Sequence, residues 1–279
     1  MALSDSEKLI DDIIQFIKTE REMYGNFILN ERSAPKKDKD QKLEQPAEEN
    51  LAEKNSDDTY QNVEKEETDM DAQEALFDDE SGREIYYKIK DCNTLGELKE
   101  LCRQADVLQT DLEGTNLVFG VGNPNADLVL IGEAPGAEED KQGEPFVGAA
   151  GQLLNNILAA VNFDRDDVYI ANILKHRPPN NRNPKPEERK RSLPFLLKQI
   201  EIIDPKLILS LGKVSAQTLL DNDDTLGSMR GTFHFFRGKY ELMATYHPAA
   251  LLRHSKWKRP TWEDVQLLRK RYDELGCMP

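Results

Sequence analysis

Four short apolar runs restrict the fold of this chain more than any other feature: "DLVLI" (127–131), "VYIANI" (168–173), "KLILSL" (206–211) and "YELMAT" (240–245). Each is strand-length and rich in Val, Ile and Leu. The segments between them read as helices, notably "AAGQLLNNILAA" (149–160), "PEERKRSLPFLLKQIEII" (186–203) and "KVSAQTLL" (213–220), and "TWEDVQLLRKRYDEL" (261–275) closes the series. Continuous apolar strands alternating with helices need cover on both faces. They predict an α/β fold, a three-layer α/β/α sandwich around a central four-stranded parallel sheet. Upstream, "NTLGELKELCRQA" offers Thr94 as an N-cap with Glu97 as its capping-box partner, and Leu95, Leu98, Leu101 and Cys102 as a buried stripe. The folded domain is read as residues 84–279.

The N-terminal part is of a different kind. Residues 6–24 place Leu9, Ile13, Ile14, Phe16 and Ile17 mostly on one side of a helix, giving an expected amphipathic helix within 1–33. Such a helix docks on its own domain, pairs with a second copy or recruits a protein partner. Residues 34–80 are polar and acidic with almost no apolar periodicity, the composition of a disordered linker. The net charge of -15 is concentrated there: residues 1–80 carry -14, residues 81–170 carry -9 and residues 171–279 carry +8. An acidic average therefore does not argue against a polyanionic partner for the basic half. Three cysteines (Cys92, Cys102, Cys277) form neither a disulfide framework nor a CxxC pair, and no run approaches the apolar length of a membrane span. The expectation is a soluble monomer of a reducing, cytoplasmic compartment, with no membrane contact.

In open parallel sheets, ligands bind beyond the carboxyl ends of the strands. Here three unusual segments follow strands and would share one rim: "GEAPGAEEDKQGEPFVGAAG" (132–151), "ANILKHRPPNNRNP" (171–184) and "TYHPAALLRH" (245–254). The first combines five glycines with five acids, and the acids would repel the phosphate that a glycine-rich loop often cradles. Familiar nucleotide motifs are also missing. "FGVGNPN" has Asn125 in place of the third glycine of GxGxxG and precedes its strand, while "LGKVS" lacks both the leading glycine and the hydroxyl residue of a Walker motif.

In their order and spacing the three rim segments resemble the family 4 uracil-DNA glycosylases, over roughly residues 114–275. That resemblance implies hydrolysis of the bond joining uracil to deoxyribose in DNA, within base excision repair. The residue types suit the chemistry, because a base inside a duplex must be flipped into a pocket that reads its edge and face. Phe146 supplies a flat surface for stacking, its plain alternative being an ordinary core residue. Asn172 offers an acceptor and a donor that match N3–H and O4 of uracil. By the resemblance, His247 lies near O2, where a donated hydrogen bond would stabilise the departing base. Glu133 is the candidate for activating water and balancing a cationic sugar. The backbone N–H groups of Ala134–Gly136 would face the carbonyl edge, and Glu139 matches a position beside C5 that helps exclude a thymine methyl. Lys175, Arg177, Arg182, Arg253 and Lys256 are read as contacts to the DNA backbone. Leu251 and Leu252, with Arg253, fall where the related enzymes press a loop into the duplex.

Members of that family usually carry an iron-sulfur cluster on four cysteines. None of the four is present: residues 104–111 contain no CxxC, and His176 and Ser192 occupy the other two positions. Because such clusters depend on thiolates, the expectation is no metal cofactor, with His176 filling space by packing or hydrogen bonding. Two other readings remain open at this point, a non-catalytic DNA-binding scaffold of the same fold and a hydrolase of small nucleosides. An acidic linker that competes with DNA for the basic rim is a further expectation.

Overall fold

A computed structural model describes residues 80–278. The predicted helix at 1–33 and the linker at 34–80 lie outside the described residues, apart from Glu80, which opens the first helix. Helices α1 (Glu80–Asp91) and α2 (Leu95–Gln104) come first, and α2 has the predicted capping box: the Glu97 amide donates to Thr94 Oγ1 and the Thr94 amide to Glu97 Oε2. There follow β1 (Val121–Gly122), β2 (Leu128–Gly132), α3 (Ala137–Gln142), α4 (Ala149–Ala160), β3 (Tyr169–Asn172) and α5 (Pro186–Ile203). Then come β4 (Leu207–Leu211), α6 (Lys213–Leu220), α7 (Leu226–Met229), β5 (Phe233–Phe236), β6 (Tyr240–Thr245), α8 (Pro248–Leu251) and α9 (Lys258–Glu274).

The sheet order is β1-β3-β2-β4-β6-β5. Its four central strands are the four apolar runs, and they pair in parallel. Sequence reading did not reach the two antiparallel edges, β1 against β3 and β5 against β6, so the sheet has six strands and not four. The omission has a physical cause. β1 is two residues long, and β5 is a partly exposed edge with little burial pattern to read. A tight turn joins β5 to β6, with Arg237 (φ 52°) and Gly238 (φ 65°) both left-handed, as hairpin twist favours.

Alternation along the strands divides the core. Leu128 and Leu130 of β2 pack with α4 and α9 on one face, whereas Val129 and Ile131 pack with α5 and α6 on the other. A third apolar cluster joins α1 and α2 to Phe195 of α5. Each of the five β2 residues is buried, which is why the strand reads as an uninterrupted apolar run. Among the described residues no helix is long and apolar enough to cross a membrane.

The connection from β2 runs to β3 on one side, and that from β4 runs to the β5–β6 hairpin on the other. The carboxyl ends of β2 and β4 thus border a crevice where connections diverge, the place where open α/β sheets hold ligands.

Candidate active site

That crevice is a cavity of about 470 Å3, lined by Glu133, Glu139, Phe146, Asn172, His247 and Arg253 among others. It lies at the strand ends because the pairing continues one step past them. The Ile173 amide donates to Gly132 O at 3.0 Å, the Leu174 amide to Glu133 O at 3.1 Å, and the Gly212 amide to Thr245 O at 2.8 Å. A second concavity of about 370 Å3, between β5 and α9, shares no lining residue with it. The charged groups there, Glu241 with Arg271 and Lys270 with Glu274, are ion-paired with one another.

Asn172, the last residue of β3, is 2% exposed, and its Oδ1 has no hydrogen-bond partner. An orphaned buried acceptor costs on the order of 1–3 kcal/mol unless a ligand satisfies it. The amide sits directly over Gly132: a Cβ there would come within 2.3 Å of Asn172 Oδ1 and 2.7 Å of the Phe146 ring. Glycine at the end of β2 is therefore what lets the amide and the ring approach one another.

Phe146 is 5% exposed, and its backbone is left-handed at φ 53°. A non-glycine residue persists in this conformation where the surroundings impose it. Arg165 donates from Nη1 to Phe146 O at 3.2 Å and from Nη2 to Pro145 O, and Gly151 packs so closely that a Cβ would fall 1.8 Å from Phe146 O. Sequence reasoning missed Arg165, whose role is set only by the return of the chain from α4. The Phe146 ring stacks on His247, with centroids 5.4 Å apart and planes at 28°.

The Nδ1 atom of His247 accepts from the Ala249 amide at 3.2 Å, capping α8, so the neutral ring carries its proton on Nε2. Burial, with Arg253 as a second cationic influence, pushes its pKa down to about 4, so the ring is neutral at physiological pH. Burial raises the carboxyl of Glu133 above its ordinary value, against the pull of Arg189.

Glu139 does more than line the wall. Its Oε1 accepts from the amides of Val147 and Gly148, both at 3.0 Å, and its Oε2 from the amide of Gly136 at 3.1 Å. One carboxylate thus holds both ends of the loop. Gly136 is spent on Glu139 and Pro135 has no N–H, which leaves the Ala134 amide of the three expected to face a base. Two of the surplus acids are also accounted for: Asp140 accepts from the Asn116 amide at 2.7 Å, and Glu138 pairs with Lys141.

The expected DNA contacts divide. Arg253 and Lys256 are exposed, and Arg253 borders the cavity. Arg177 is half-buried, with Nε bonded to Asn181 Oδ1 at 2.8 Å. Arg182 lines the cavity but makes a two-pronged bond to buried Glu188 and a further one to Asp111, so much of its charge is compensated. Two expectations fail. Lys175 is 0% exposed, its ammonium bonded inside the protein, and does not reach DNA. Leu251 is 2% exposed within the core beneath α8 and is no wedge, while Leu252 beside it is half-buried.

The residues at the cluster positions do not fit an iron-sulfur cluster. His176, 3% exposed, bonds through Nδ1 to Thr115 Oγ1 at 3.0 Å, and Ser192 Oγ donates to Ile173 O at 2.7 Å. The cysteines are buried thiols, with Cys102 pushed up to about 12 and Cys92 and Cys277 also raised by burial. Among the described residues, no His, Cys, Asp and Glu side chains group as a metal site would require.

The chain matches the Uracil DNA glycosylase superfamily over residues 119–267. It is 46% identical to the Type-4 uracil-DNA glycosylase of Archaeoglobus fulgidus over 158 residues, 54% of this chain and 78% of that protein. It is 43% identical to the enzyme of the same description from Pyrobaculum aerophilum over 166 residues, 57% of this chain and 85% of the relative. With the one from Thermotoga maritima it shares 40% over 172 residues, 61% and 90% of the two chains.

Proposed function

Because the chain belongs to the uracil DNA glycosylase superfamily, we propose that it is a DNA N-glycosylase that hydrolyses the bond between uracil and deoxyribose, releasing free uracil and leaving an abasic site for base excision repair. The observation that carries this reading is the unpaired, buried Oδ1 of Asn172 in a cavity walled by an aromatic ring and a neutral histidine.

Uracil, turned out of the duplex, lies against Phe146. Asn172 Oδ1 accepts from N3–H, and its Nδ2 donates to O4, completing the orphaned amide. Cytosine presents an acceptor and a donor in the opposite order at those two atoms and would leave both partners mismatched. His247 donates from Nε2 to O2. As the glycosidic bond breaks, electrons move onto the base, and a preorganised donor in a water-poor site stabilises that charge without having to reorient. Being neutral, the imidazole strengthens its bond as charge develops and gives up no proton in advance. Glu133 holds the attacking water and, ionised, balances the cationic sugar. No step uses a metal. Exposed Arg253 and Lys256 hold the backbone phosphates.

The test is release of uracil from an oligonucleotide with uracil opposite guanine or adenine. Asn172→Ala and His247→Ala should each lower the single-turnover rate on the order of 100- to 1,000-fold. Tight, salt-sensitive binding with no abasic product would instead identify a scaffold, and activity on free deoxyuridine a nucleoside hydrolase. Anaerobically purified protein should contain no stoichiometric iron and no visible cluster absorbance. Iron at one cluster per chain would overturn the metal-free reading.

A further inference from the structure

Lys175 is fully buried, and the reaction outlined above makes no use of it. Its ammonium donates to three oxygens on three separate segments: Asn172 O at the end of β3 (2.9 Å), Phe119 O ahead of β1 (3.4 Å) and Gln199 Oε1 on α5. The arrangement is reinforced around it. Gln199 Nε2 donates to the same Phe119 O at 3.0 Å and to Tyr169 OH at 3.2 Å, and the Val118 amide donates to Lys175 O at 2.9 Å. Lys175 does not line the cavity, yet it is bonded to the backbone of the residue whose side chain does.

An apolar side chain would fill this space without an ammonium to desolvate. The cost is visible in the amine itself, which burial lowers to about 7. Cys102 on α2, the titratable group nearest the amine, is itself a neutral buried thiol, and Tyr169 faces the network from β3 through Gln199. What only an ammonium supplies is three donors from one atom, and here three carbonyl oxygens take them.

We propose that Lys175 is a positioning residue for base recognition: from outside the cavity it fixes the backbone of Asn172, and thereby the angle at which the orphaned amide meets the edge of the base. This rests on the uracil-releasing reading. The role goes through Asn172, so substituting Lys175 matters only while that amide is present. A general packing role would instead cost the same whether or not Asn172 is intact.

A double-mutant cycle separates the two. Single-turnover uracil release is measured for wild type, Lys175→Met, Asn172→Ala and the pair, with affinity for an abasic-site duplex followed in parallel. Lys175→Met should slow release on the order of 100-fold, the scale of a misplaced contact group, while duplex affinity stays as in wild type. In the Asn172→Ala background the same substitution should cost less than about twofold. Equal losses in both backgrounds overturn the proposal. If Lys175→Met shows no cooperative melt, Gln199→Met is carried through the same cycle, and additivity there overturns it equally. Wild-type protein that releases no uracil removes both this role and the reading beneath it, whereas release with an additive cycle removes this role alone.

Discussion

At the scale of single residues, the site separates two ionisations. The carboxyl of Glu133 is raised by burial, and a group that must be ionised to act on water loses that state as pH falls through its pKa. The acid limb of the rate profile should therefore lie above the ordinary carboxylate range of about 4.3, and Glu133→Gln should remove the limb along with most of the rate. His247 is displaced the other way, to about 4 from an ordinary 6.5. Between those values the unfolded chain binds a proton that the folded chain refuses, so stability falls as the solution is acidified through this window and is unaffected by His247 above it. A His247→Gln variant should lose that part of the slope, as read by denaturant unfolding at pH 7 and pH 5. Both groups were legible in the sequence, because each sits at the exit of an apolar strand on the rim. The environment that tunes them was not, since burial belongs to the assembled crevice.

At the scale of elements, two glycines hold the geometry of the cavity wall. Gly132 lies where β2 meets the amide from β3 and the ring from the following loop, and Gly151 lies where α4 meets the carbonyl of Phe146. Neither needs a left-handed backbone; both are required by close approach. Gly132→Ala should leave a folded protein, destabilised by about 1–3 kcal/mol as overpacking does, that has lost most uracil release. Thermal melting beside the oligonucleotide assay checks the pair of outcomes. The central strands were readable because burial on both faces forces unbroken apolar runs, and α4, α5 and α6 occupy the predicted spans. The edge strands were not, for want of such a pattern. Lys175 and Leu251 show the same limit. A basic residue beside a basic rim looks like a phosphate contact, and a leucine in an exposed-looking loop looks like a wedge, until packing takes both inside.

At the scale of the molecule, the charge of the basic half is already partly spent. Arg182 is bound to Glu188 and Asp111, Lys185 to Asp111, and Arg230 to Asp264. Arg253, exposed at the mouth of the cavity, is the better candidate for a phosphate partner. Arg253→Ala should weaken duplex binding at low salt and reduce the slope of log affinity against log salt by about one, while Arg182→Ala should mainly destabilise the fold. Titrations at several salt concentrations distinguish the two.

The carboxylate of Glu139 reaches the amides at Gly136, Val147 and Gly148, and Arg165 separately grips Pro145 and Phe146. The stretch between these anchors is closed into an eyelet by these hydrogen bonds. Its perimeter, around exposed Gln142 and Glu144, can lengthen without pulling on the recognition wall, since each doubling of a loop costs only about 0.6 kcal/mol. A reporter peptide grafted there would sit within reach of the crevice while the anchoring hydrogen bonds stay in place.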